Sequence, residues 1–173
     1  MRQTLLMSVA LVMVMGFAGS GHGRDVKILV LDDCDPDDPG WAETGGCTLR
    51  GGDVALAEFQ SHGFFGHPAW RFESSYEKVR EGDEIIVRNK GGRRHTFTEV
   101  AAFGNGVVPP LNIPGQATVP ECTPPAFPND LPAGTALKLT ADTPGTHLFQ
   151  CCFHPWMRAA IKVEERRHPR HDR

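Results

Sequence analysis

The chain of 173 residues has no excess of basic charge, no apolar run long enough to span a bilayer comfortably and no internal repeat. Its 18 Lys and Arg are outnumbered by 21 Asp and Glu, for a formal charge of −3. Phosphate binding wants a basic surface, so nucleic acid is disfavoured as the main partner. Aromatic residues are only 8% of the chain, but charged residues are also modest, at 23%. A packed core is therefore attainable, and the composition argues against wholesale disorder. The 19 Gly and 14 Pro show no Gly-x-y period, which excludes a collagen-like rod. Together they exceed the usual ~12% and favour turns and loops over long helices. The length suits one domain, or at most a small pair.

The main apolar run, Leu5 to Met15, falls short of the ~20 residues that a comfortable span needs. It follows Arg2 and leads into Gly16, Ala18, Gly19, Ser20 and Gly21. A basic start, an apolar centre and a small-residue end form the layout of a secretory signal. No cysteine directly follows the run, so a lipoprotein anchor is not indicated, and there is no twin arginine. Residues 1–23 are expected to be a signal peptide, with an uncleaved anchor as the alternative. The protein is then periplasmic, extracellular or at the cell surface, with no span in the mature chain. Export places its five cysteines in an oxidising compartment, where disulfides persist.

Beyond the signal, the pattern is one of short strands and long loops. Val26 to Leu31 alternates with Val26, Ile28 and Val30 on one face. An acidic, turn-rich stretch follows, and Asp53 is placed to cap a short helix over Val54 to Ser61. Trp70 and Phe72 alternate, Val79 precedes a Gly82-Asp83 turn, and Ile85 to Asn89 and His95 to Val100 read as strands. Residues 103–133 are proline-rich and form a long excursion. Thr135 to Thr140 and Thr146 to Cys151 read as a hairpin-like pair around Pro144-Gly145, and Met157 to Val163 supplies the last strand. The expected fold is all-β, a Greek-key sandwich or barrel with long loops and one short helix. One domain is expected over residues 24–163, with a charged, disordered tail over 164–173.

The chemistry lies in Cys151-Cys-Phe-His154-Pro-Trp-Met157. A thiolate, an imidazole and a thioether recur at three-residue intervals, so one tight loop can aim all three at one point. Soft sulfur with nitrogen suits copper better than calcium or magnesium. A mononuclear blue-copper site needs two His and one Cys in a plane and a weak axial Met. His95, after the Lys90-Gly-Gly-Arg-Arg turn, is the natural second imidazole. Met157 is the only Met beyond residue 15.

On these residues the sequence resembles the cupredoxins, the plastocyanin and amicyanin type of small blue copper protein. PGTHLFQCCFHPWMRAAIKV is similar to the family's Cys-x-x-His-Pro-x-Met ending in its short, amicyanin-like spacing. VREGDEIIVRNKGGRRHTFT is similar to its strand, Gly-Asp turn, strand, Asn and ligand His. The resemblance covers residues 75–163 and implies one copper ion held by His95, Cys151, His154 and Met157. It implies that Asn89 ties the two ligand loops together. It also implies that redox partners dock at an apolar patch around His154, here Phe153, Pro155 and Trp156 with Pro109 or Pro110. Cys152 stands where the family carries a small hydroxyl that bonds the Asn, and Ala159 where it has Gly.

Adjacent strand residues face opposite ways, so Cys152 aims away from a metal held by Cys151. The other four cysteines allow three pairings. The favoured one joins Cys34 to Cys47 across the acidic loop and Cys122 to Cys152 across the long one. Asp33, Asp35 and Asp37 fail as a calcium loop, since Asp38 and Thr44 stand where Gly and Glu are needed. They read as a solvated loop. His62 and His67 have no ligand-like partner spacing, His147 is expected to face solvent, and His168 and His171 lie in the tail.

The function this implies is an exported, non-enzymatic, monomeric carrier of single electrons between redox partner proteins. A copper storage or delivery protein is the alternative, although one Met is few for ligand exchange. A multicopper oxidase needs His on both sides of the ligand Cys, and Gln150 and Cys152 stand there instead. A binuclear centre needs a second Cys four residues after the first, where this chain has Pro155. A metal-free cell-surface module is disfavoured by the complete ligand set.

Overall fold

The computed structural model describes residues 24–123, 127 and 129–166. The expected signal segment 1–23 and residues 167–173 of the expected tail lie outside the described residues. No helix among the described residues is long and apolar enough to cross a membrane.

Two four-stranded sheets pack face to face as an open sandwich. The first is ordered β2 (Arg71–Glu73), β1 (Asp25–Leu31), β4 (Glu84–Asn89), β8 (Ala136–Thr140). The second is ordered β3 (Tyr76–Arg80), β10 (Arg158–Glu164), β9 (Gly145–Gln150), β6 (Thr98–Val100). A short pair, β5 (His95–Thr96) with β7 (Asp130–Leu131), sits beside them. Alternation sends Val26, Ile28 and Val30 of β1 and Ile85 and Val87 of β4 inward. They meet Phe149, Ile161 and Val163 of the second sheet in one core. Phe97 stacks on Phe149 at 4.4 Å and takes the edge of Phe72 at 5.1 Å, which bridges the sheets.

Four expectations change. The 135–151 hairpin does not form: β8 pairs with β4 and β9 with β10 and β6, so the Pro144-Gly145 corner carries the chain between sheets. Both strands have an apolar face, and a sandwich satisfies them across the core as well as a hairpin does side by side. The 95–100 strand divides at Phe97, with β5 pairing to β7 and β6 to β9. The described residues hold two short helices, α1 (Pro39–Glu43) and α2 (Leu56–Ser61), not one. Asp53 does not cap α2, because Val54 is engaged in backbone pairing with Asp33 and Asp35. Asp38 serves both helices instead, accepting from Gly40 N at 3.0 Å and Leu56 N at 2.6 Å.

The start of the tail is anchored rather than loose. β10 runs through Glu164, and the Arg166 guanidinium donates to Asp83 at 2.9 Å. Asp83 sits in the turn that passes from β3 in one sheet to β4 in the other. It also accepts from Arg80 N at 2.9 Å and Arg24 N at 3.1 Å. Burial pushes this carboxyl up, but the two backbone N–H groups and Arg166 outweigh it and hold it below the ordinary value. Its stabilisation is therefore fully present above the unfolded carboxyl's ordinary value and is lost as pH falls through the lower folded one. Asp83→Asn is expected to cost about 1–3 kcal/mol at neutral pH. Urea denaturation should show the gap between wild type and variant narrowing between neutral pH and a pH below the ordinary carboxylate range. An equal gap at both pH values would contradict this account.

The excursion after β6 folds over the outer face of the second sheet. There Val100, Val119, Cys122 and Cys152 form a second small core. Asn105 stiffens the loop, donating to Ile113 O and Gln116 O and accepting from Ile113 N. Buried Gln150 accepts from Gly104 N at 3.1 Å. Cys122 and Cys152 are bonded, and so are Cys34 and Cys47. Cys151 is the free thiol among the described cysteines. The two disulfides are compatible with an exported protein.

Candidate metal centre

Three side chains from two separated segments converge at one end of the sandwich. His95 comes from β5, Cys151 follows the end of β9, and His154 lies in the loop that leads to β10. All three are buried, and their donor atoms lie within 4.8 Å of one another. Cys151 Sγ is 3.7 Å from His95 Nδ1 and 3.6 Å from His154 Nδ1. The loop is closed by its own backbone, with Cys151 N donating to Met157 O at 3.1 Å and Met157 N to His154 O at 2.9 Å. Met157 is fully buried at the loop's end.

The electrostatics suit a thiolate. Burial pushes the Cys151 thiol up, but its hydrogen-bond contacts with His154 and His95 prevail and hold it well below its ordinary value. Burial pulls His154 below the usual imidazole range, so its ring favours the neutral, ligating form. Burial also pulls His95 down, yet the carboxylate of Asp32 and the Cys151 thiolate carry it up to about 9. A buried thiolate between two imidazole Nδ1 atoms is a soft, mixed sulfur and nitrogen donor set. That set fits a copper ion and is poorly matched to hard cations.

Three features were not legible in the motifs. Asp32 lies 2.8 Å from His95 Nε2, and both side chains are fully buried. Its signal was present in β1, since the alternation of Val26, Ile28 and Val30 puts position 32 on the inward phase. Thr96 joins the two ligand segments: its N–H approaches Cys151 Sγ at 3.4 Å, and its Oγ1 accepts from Cys152 N at 2.9 Å. Asn89 does not do this. Its amide donates to Arg93 O at 2.8 Å and Leu131 O at 2.9 Å, and its Oδ1 accepts from Gly91 N, so it ties the 90–93 turn to β7. The change follows from Cys152, whose sulfur is committed to Cys122 and offers Asn89 no hydroxyl.

The third feature is a cover over His154. Phe59 of α2 meets the His154 ring edge-on at 5.8 Å, and Trp156 lies 5.6 Å away. Phe59 also packs against Trp70 at 4.6 Å, and Trp70 stacks on Trp41 at 5.7 Å. Arg93 lies over Trp41 at 4.7 Å and donates to Thr44 O at 2.7 Å and to Gly46 O. The expected apolar patch changes accordingly. Pro155 is buried, and Trp156 turns inward to donate to Trp70 O at 3.2 Å. Phe153 and Pro110 remain at a hollow of about 480 Å³ above His154, whose walls also include Trp41, Leu56, Val108 and Leu111.

The remaining candidates lie apart. His67 is 3.4 Å from Glu58, and its ring meets that of His62 at 4.6 Å. His147 does not simply face solvent: it bonds Glu99 at 2.6 Å and Thr143 O at 2.8 Å. His168 and His171 are outside the described residues.

The architecture, an open β-sandwich with a His-Cys-His cluster at one end, is cupredoxin-like. No family model and no curated protein matches the chain. Solved structures similar to it include a purple cupredoxin from Nitrosopumilus maritimus, with 14% identity over 81% of this chain and 100% of that one, at a TM-score of 0.43. A reduced amicyanin variant is 24% identical over 54% of this chain and 73% of that one, at a TM-score of 0.37.

Proposed function

We propose that the protein is an exported type 1 copper protein that carries single electrons between redox partners. His95, Cys151 and His154 would hold one copper ion per chain, with Met157 as a weak axial ligand. The carrying observation is the buried convergence of the three donor atoms within 4.8 Å. When bound, the ion supplies a one-electron couple. The chain supplies a closed loop, a rigid disulfide-braced frame and exclusion of water, so little need rearrange between oxidation states. Residues 24–163 would act as a single domain, and the hollow above His154 is where a redox partner would approach. Phe153 and Pro110 belong to that surface, and Trp156 packs beside His154 at 5.6 Å.

This reading is favoured over storage or delivery because the whole donor set is buried, whereas ligand exchange needs an accessible one. Voltammetry of the copper-loaded protein should give a reversible one-electron couple, and a copper chelator should strip the ion slowly in both oxidation states. Rapid transfer of copper to the chelator without redox cycling would favour delivery.

Met157→Leu tests the axial role. A weak ligand adjusts a site more than it holds it, so the variant should keep copper and colour. Loss of thioether donation, with an apolar Leu in its place, destabilises Cu(II) relative to Cu(I). The reduction potential should rise. An unchanged or lower potential in a still-coloured variant would show that another group holds the axial place.

A further inference from the structure

We infer that Asp32 is a positioning residue of the metal centre, holding His95 through its Nε2–H and biasing the site towards the oxidised ion with its charge. The inference rests on the copper reading above.

A buried carboxylate is costly unless it is paired and hydrogen-bonded, so its surroundings show what it is kept for. Asp32 Oδ2 lies 2.8 Å from His95 Nε2 and accepts from Arg93 N at 3.0 Å. Asp32 Oδ1 accepts from Gly92 N at 2.8 Å and is 3.5 Å from Cys34 N. Among the described residues its one ion-pair partner is His95. The Arg93 guanidinium points instead to the carbonyls of Thr44 and Gly46.

The chain is shaped to allow this. A Cβ on Gly91 would lie 2.1 Å from Asp32 Oδ2, so the turn can close on the carboxylate only with glycine there. A Cβ on Gly92 would lie 2.7 and 2.8 Å from the sulfurs of Cys34 and Cys47. The disulfide thus sits against the same turn, two residues beyond Asp32, and fixes the β1 end from which the carboxylate projects.

The chemical consequence follows from the inventory of donors and acceptors. An ionised carboxylate only accepts, so Nε2 keeps its proton towards Asp32, and Nδ1, which faces Cys151, is the nitrogen that would exchange its proton for a metal. A backbone carbonyl could orient the ring equally well. A full negative charge does more: it raises the basicity of the ligating nitrogen and favours the higher charge on the ion in a poorly screened interior.

Asp32→Asn separates the two roles, since Asn matches the size of Asp and keeps an oxygen for the Nε2–H but removes the charge. The copper-loaded variant should retain its visible band. Its Cu(I)/Cu(II) equilibrium should shift tenfold or more towards Cu(I), a rise in potential of about 59 mV or more for one electron. The second measurement needs no variant. In the diamagnetic Cu(I) protein, NMR should show a slowly exchanging, downfield ring N–H assigned to His95 Nε2. A coloured Asp32→Asn protein with an unchanged or lower potential overturns the inference alone. So does the absence of that N–H from the wild type, which also decides the matter if the variant does not fold. A wild-type chain that takes up no copper overturns the copper reading, and this inference with it.

Discussion

Replacing Cys151 by Ser is expected to abolish the intense visible absorption of the copper-loaded protein completely. The band requires charge transfer from a thiolate, and Cys151 is the free cysteine among the described residues. A Ser hydroxyl has nearly the same shape but is a hard donor, and it stays protonated at neutral pH. Copper binding should weaken with it, because the two imidazoles then lose the soft anionic member of the set. The fold should survive, since the substitution changes one atom at a buried site that keeps Thr96 and His154 as polar neighbours. Circular dichroism checks the fold and absorption checks the band. A band of undiminished strength in Cys151→Ser would remove this residue from the site.

The second large effect concerns Cys122 and Cys152. Their bond spans 30 residues of sequence. Converting both to Ser should cost roughly 3–4 kcal/mol in the chain-entropy model, read as a lower urea midpoint under oxidising conditions. Two further losses accompany the entropy. Two hydroxyls would replace a disulfide in the small core of Val100 and Val119, and the loop that Gln150 holds would loosen on the outer face. Cys152 directly follows Cys151, and its N–H donates to Thr96, so the same change should broaden the visible band. A double variant as stable as wild type would mean that the excursion is held by Asn105 and Gln150 alone.

The meeting of Cys151 and His154 was legible because it is local, and His95 was found through the resemblance of its segment. Cys151, His154 and Met157 are spaced so that one turn of chain can gather them, and alternation put Cys152 on the other face. The inward faces of β1 and β4 were legible for the same reason, since a period of two needs no tertiary knowledge. The hairpin expected over 135–151 was not formed, because adjacent strands in sequence carry no mark of whether they pair or face each other across a core. Asn89 was assigned from a family pattern whose partner hydroxyl this chain lacks, and the structure gives the bridging task to Thr96. Asp32 was hidden among like residues in an acidic run, although the alternation of β1, carried one residue past its end, separates it from Asp33 and Asp35. The cover of Trp41, Phe59 and Trp70 over His154 depends on contacts far apart in sequence, which composition does not reveal.

The most direct test of the central claim is a copper titration of the wild-type protein, followed by absorption and electron spin resonance. The account predicts saturation at one copper per chain, an intense thiolate-to-copper band, and a hyperfine splitting narrowed by delocalisation onto sulfur. Copper that binds without colour, with the wide splitting of a nitrogen- and oxygen-bound ion, would contradict it, as would no uptake at all.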